Sequence, residues 1–169
     1  TTLRKGVGYR LYLEFTPPGS GQQTVSFRLP VEGSPVSLRT LTPDTSTSMT
    51  AASLRVKIAR PAALIAGRDA ELRFEFTDAQ TGEPVQGLEP YLGAWAHVLA
   101  INQQQNYLLH LHPLDNAPTS AASATHKHAV LSGPSPNEIR TTVNFPKSGL
   151  QKLWLQVQRD GAIVTIPFV

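Results

Sequence analysis

The sequence predicts an all-β chain, with an antiparallel, immunoglobulin-like β-sandwich over residues 54–169 preceded by a partial repeat hairpin over residues 1–31. Three observations carry this. Leu72, Phe74 and Phe76 alternate with Arg73 and Glu75, and Leu153, Leu155 and Val157 alternate with Lys152, Trp154, Gln156 and Gln158. That is the two-residue period of strands buried on one face. Asp160-Gly161 stands between two apolar runs, where a type I′ hairpin turn needs positive φ at both central positions. Nowhere does a comparable amphipathic helix period compete with these patterns.

Taken in order, the first element is the hairpin. Tyr9-Arg-Leu-Tyr-Leu-Glu-Phe15, the breaker Pro17-Pro-Gly-Ser-Gly21 and Thr24-Val-Ser-Phe-Arg-Leu-Pro-Val31 repeat the pattern of the carboxy-terminal Leu150–Val169 hairpin. An isolated hairpin is marginal in water, so residues 1–31 are expected to be the tail of a preceding domain or to pair with a partner. Residues 32–53 are rich in Ser, Thr and Pro without either period and read as a linker. Strands are then expected near 54–60, 69–77, 94–102, 106–112, 138–145, 150–158 and 162–169. Asp78-Ala-Gln-Thr-Gly-Glu-Pro84, Pro146-Lys-Ser-Gly149 and Arg159-Asp-Gly161 separate several of them. The loop 114–137 is long for a compact domain, a length usually associated with function or mobility.

Composition narrows the function classes. A chain of 169 residues, 40% hydrophobic, holds one full domain and some extra chain. Its net charge of +3 is spread along the sequence, with no basic cluster interleaved with exposed aromatics, so no nucleic acid is expected as a partner. Absence of cysteine removes disulfides and thiolate metal sites. The apolar runs fall far short of the roughly 20 residues of a transmembrane helix. A start at Thr1-Thr-Leu-Arg without Met fits a mature or partial chain. No nucleophile elbow, Gly-rich phosphate loop or His-Glu-x-x-His helix is present, and an enzyme is not expected.

The chemistry concentrates in histidine. His97 lies in Gly93-Ala-Trp-Ala-His-Val-Leu-Ala-Ile101, and His110 and His112 lie in Asn106-Tyr-Leu-Leu-His-Leu-His-Pro113. On a strand, His110 and His112 share one face about 6.6 Å apart, near enough for two imidazoles to hold one ion. If the two strands are hairpin partners, His97 supplies a third nitrogen, a set suited to copper or zinc. The same three rings serve otherwise as hydrogen-bonding residues, directed across strands or to a carboxylate such as Glu89. His126-Lys-His128 is a second His-x-His, set in the long loop where alternation does not apply. Met49 is the single methionine, which excludes a methionine-rich copper(I) site. Asp115, after His112-Pro113, is better suited to turn formation than to ligation. Trp95, Trp154, Tyr12 and Tyr91 are expected to cover core edges rather than to form a recognition surface.

Several of these motifs occur together in one order. Leu88-Glu-Pro-Tyr-Leu-Gly-Ala-Trp-Ala-His97, Tyr107-Leu-Leu-His-Leu-His-Pro113, Phe145-Pro-Lys-Ser-Gly149 and Lys152-Leu-Trp-Leu-Gln-Val-Gln158 cover most of residues 54–169. This set resembles a family of exported bacterial proteins whose small β-sandwich is similar to heavy-metal-associated periplasmic domains. One departure is Ala96, where similar sequences carry Gly before the histidine. The resemblance implies a periplasmic or extracellular protein and binding of copper or another late transition metal. Two functions follow as expectations: a non-enzymatic sandwich that binds or senses a transition metal through His97, His110 and His112, or an accessory interaction module of a larger, membrane-associated assembly with structural histidines.

Overall fold

The computed structural model describes residues 8–29, 40–113 and 135–169, and its strands are all antiparallel. Among the described residues there are eleven strands: β1 (Tyr9–Phe15), β2 (Gln23–Leu29), β3 (Ser48–Ala51), β4 (Leu54–Ala59), β5 (Asp69–Asp78), β6 (Leu88–Glu89), β7 (His97–Asn102), β8 (Leu108–Leu111), β9 (Glu138–Asn144), β10 (Gln151–Arg159) and β11 (Ala162–Phe168). One sheet runs β3-β4-β5-β9. A second runs β11-β10-β7-β8, with β6 also paired to β10. The β1–β2 ribbon is a two-stranded sheet of its own.

Alternation decides how the two larger sheets meet. Leu72, Phe74 and Phe76 of β5 and Leu153, Leu155 and Val157 of β10 are all buried, while the residues between them are not. They join Leu54, Val56, Val98, Ala100, Ile139, Val143, Ile166 and Phe168 in one apolar cluster drawn from both sheets. Each large aliphatic or aromatic side chain taken out of water there contributes about 1.5–3 kcal/mol, so the intersheet layer dominates stability. The architecture is a β-sandwich. At one end Arg159, closing β10, reaches the Asp78 carboxylate at the end of β5 (3.4 Å) and Ser53 Oγ (3.2 Å), tying one sheet to the other. At the β10–β11 turn Asp160 and Gly161 have φ of 52° and 70°, the positive pair expected of Asp-Gly in a two-residue hairpin.

Two segments depart most from the sequence-based expectation. The segment read as a linker contributes β3, which pairs with β4 from Ser48↔Lys57 to Ala51↔Leu54, and Asp44 exchanges hydrogen bonds with Val169. Met49 accordingly packs against the core instead of lying in a linker. The strand expected over 94–102 begins only at His97. Before it, Tyr91 and Ala94 exchange backbone hydrogen bonds around Leu92 and Gly93, whose φ values are 47° and 81°. That tight turn interrupts what is otherwise one line of pairing along β10: β6 pairs at Gln158↔Glu89, and β7 resumes at Gln156↔His97. The seven residues from Pro90 to Ala96 are thereby looped out of the sheet beside His97. Ala96, the departure from Gly, is fully buried, and its methyl group is part of the apolar cluster.

Candidate metal centre

β7 and β8 are hairpin partners, with Val98↔Leu111 and Leu99↔His110 in register. Val98, Ala100, Leu109 and Leu111 turn to the core, so alternation puts His97, His110 and His112 on the opposite face of the sheet. The three rings converge: centroids are 4.6 Å apart for His97 and His112, 4.4 Å for His110 and His112, and 5.6 Å for His97 and His110. One ring nitrogen from each lies within 4.8 Å of the other two. The juxtaposition expected from the sequence is therefore present.

The neighbours of the rings decide which nitrogens are available. His97 Nε2 is 2.8 Å from the Tyr91 carbonyl. A carbonyl only accepts, so Nε2 carries the proton and Nδ1 of the neutral ring keeps its lone pair. His110 Nδ1 is 2.6 Å from Glu14 Oε2, and a carboxylate likewise accepts, which leaves His110 Nε2 bare when that ring is neutral. These two bare nitrogens, His97 Nδ1 and His110 Nε2, face each other at 3.4 Å. With both rings neutral there is no hydrogen between them, and two lone pairs are held in opposition until a proton or a cation enters. In a tetrahedral zinc site with bonds near 2.05 Å, adjacent ligand nitrogens are separated by about 3.3 Å, the spacing already found here.

Burial adds to the effect. His97 is 3% exposed, and loss of solvent pushes its pKa below the usual histidine value; the Tyr91 carbonyl opposes this and the neighbouring His110 reinforces it. The ring is thus kept in the neutral form that ligates. Tyr91 also lies edge-on to His97, with ring centroids 5.4 Å apart, so the looped-out turn caps the histidine with both its backbone and its ring.

Among the described residues the carboxylate hydrogen-bonded to His110 is Glu14 of β1, not Glu89. Glu89 accepts from Gln158 Nε2 (2.8 Å) and the Gly161 amide (3.2 Å), pinning β6 to β10. No sequence signal pointed to Glu14, whose role depends on where the hairpin docks, nor to Tyr91, whose hydrogen bond to His97 comes from its backbone carbonyl. Trp95 is a core residue, 6% exposed. Tyr12 donates to the Gln105 carbonyl (2.8 Å), and Trp154 is half-buried opposite Leu99 on β10. Asp115, His126 and His128 lie outside the described residues. A separate concavity of about 300 Å³ at the sandwich edge, lined in part by Ile58, Leu64, Phe145 and Phe168, includes none of the three histidines.

The chain belongs to the family described as a domain of unknown function, DUF8832, which matches residues 49–169. The match begins within β3, so the family unit is the sandwich that carries the three histidines. No curated protein and no solved structure matches the chain.

Proposed function

We propose that this domain is a non-enzymatic binder of a late transition metal, copper(II) or zinc, held by His97, His110 and His112. The observation that carries the reading is the opposition of His97 Nδ1 and His110 Nε2 at 3.4 Å, each the bare nitrogen of its neutral ring because an acceptor lies on the far side. His112 supplies the third ligand. The three donor atoms all lie within 4.8 Å of one another, and a bound ion would draw them to the tetrahedral spacing of about 3.3 Å. Imidazole suits both copper and zinc, and three nitrogens leave a coordination position for water or an exogenous ligand. The resemblance of the ordered motifs to a family of exported bacterial proteins is the ground for proposing an exported, periplasmic or extracellular setting.

Calorimetric titration of the chain with zinc or copper(II) at neutral pH tests this. One dominant site is expected. Replacing His110 and His112 together by Ala is expected to lower its affinity by more than the roughly 10–100-fold typical of outer-shell changes, because two of three ligands are lost. Equal affinity of the parent and the double variant overturns the reading.

A second reading, an accessory interaction module, draws on a different observation. The β1–β2 ribbon leaves Leu11, Leu13, Phe15, Val25 and Phe27 exposed by 37–51% on one face. A contiguous apolar face of this kind marks a surface that another protein element covers, either chain preceding residue 1 or a partner subunit. The two readings concern opposite faces of the ribbon and are compatible.

A further inference from the structure

We propose that the β1–β2 ribbon is a metal-coupled clasp on the histidine site, with Glu14 as the residue that positions His110; this rests on the metal reading above. Among the described residues the ribbon pairs with no strand of the sandwich. It meets the sandwich through side chains of one face, where alternation along β1 sets Tyr12 and Glu14 side by side. Tyr12 donates to the Gln105 carbonyl in the β7–β8 turn, and Glu14 holds His110 on β8. Burial pushes the Tyr12 phenol pKa up, which keeps it the hydroxyl donor this contact needs.

The Glu14 carboxylate is held from both sides. Its Oε1 accepts from Gln22 Nε2 (3.0 Å) and Thr24 Oγ1 (3.5 Å) within the ribbon, while Oε2 reaches across to His110 Nδ1 at 2.6 Å. Both groups are largely covered, with side-chain exposures of 20% and 22%. The carboxylate thus holds His110 in the tautomer whose Nε2 points at His97, and its negative charge raises the donor strength of that nitrogen. A cation bound at Nε2 in turn makes the Nδ1–H a stronger donor to Glu14. Coupling of this kind is reciprocal: whatever factor ribbon docking adds to metal affinity, the metal adds to ribbon docking.

The experiment combines zinc calorimetry with hydrogen exchange on the whole chain of 169 residues. Zinc is expected to slow exchange across Tyr9–Phe15 and Gln23–Leu29. Glu14→Ala is expected to weaken zinc by about 10–100-fold and to abolish that slowing, while β4, β5 and β10 keep their protection as a check that the sandwich is folded. Tyr12→Phe, which removes a second contact of the ribbon with the sandwich and touches no ligand, is expected to lower zinc affinity in the same direction by a smaller factor. Unchanged affinity in Glu14→Ala, or ribbon exchange indifferent to zinc in a parent chain that binds it, overturns the clasp and leaves the metal reading standing. A parent chain that binds neither zinc nor copper(II) overturns both.

Discussion

Burial of the His97 ring disfavours its charged form more than the Tyr91 carbonyl supports it, and this gives the fold a pH dependence of definite sign. The folded pKa lies below the ordinary 6.5, so in the window beneath that value the unfolded chain binds more protons than the folded one. Stability is therefore expected to be full above about pH 6.5 and to decline as the pH falls toward the folded pKa. Urea unfolding midpoints measured between pH 5 and 8 in a chelating buffer check this, with His97→Asn expected to flatten the acid side of the profile. Identical profiles for the two proteins would remove His97 as the cause. Metal affinity is expected to fall in the same acid range, since a proton then competes for the space between His97 and His110. At this scale the three histidines were legible in the sequence because strand alternation and hairpin pairing, both local rules, suffice to bring them together. Glu14 was not, because 96 positions separate it from His110 and no local rule spans that distance.

The β7–β8 hairpin sets the distance of His97 from the other two rings, and Asn102 sets the hairpin. Its side chain is 2% exposed; Oδ1 accepts the Asn106 amide at 3.0 Å, and Nδ2 donates to Gln104 Oε1 and Asn106 Oδ1, each at 2.8 Å. Asn102→Ala strips three hydrogen bonds from the turn, whose partner groups on Gln104 and Asn106 are exposed to water, a loss of about 0.5–1.5 kcal/mol for each bond. Because the turn returns β8 to β7 in register, faster amide exchange across Leu108–Leu111 and weaker zinc binding are expected together. A variant with unchanged unfolding midpoint and unchanged exchange would show that strand pairing alone sets the register. Elements with strong alternation, such as β5 and β10, were readable to within a residue or two. β3 was hidden by its Ser and Thr neighbours, since four residues are too few to display a period and its pairing with β4 is a tertiary fact. The Tyr91–Ala94 turn was hidden for a different reason: Leu92 takes a positive φ, a conformation that Leu rarely adopts and so does not announce.

At the scale of the whole molecule, the outer face of the β1–β2 ribbon is the surface that a further element would cover. Leu11↔Phe27 and Leu13↔Val25 stand opposite each other in the ribbon as Leu153↔Phe168 and Leu155↔Ile166 do in the β10–β11 hairpin. In the sandwich those four residues are 0–5% exposed beneath the opposing β3-β4-β5-β9 sheet, whereas the ribbon's four are 37–51% exposed. The repeated pattern identified from the sequence thus extends to register, and the face that is core in one copy is bare in the other. A covering sheet of like kind, supplied by chain preceding residue 1 or by a partner subunit, would complete it. Leu13→Ser with Phe27→Ser distinguishes a covered face from a bare one. In residues 1–169 alone the pair is expected to leave the unfolding midpoint unchanged and to abolish binding of an apolar dye such as anilinonaphthalene sulfonate, because the face is already in water. In a longer chain or complex that covers the face, dye binding is expected to be absent from the outset. There the same pair is expected to cost roughly 3–6 kcal/mol, at about 1.5–3 kcal/mol for each buried side chain. Absence of dye binding by residues 1–169, together with a large loss of stability from the pair in that chain alone, would show that the visible sandwich already covers the ribbon and that no further element is needed.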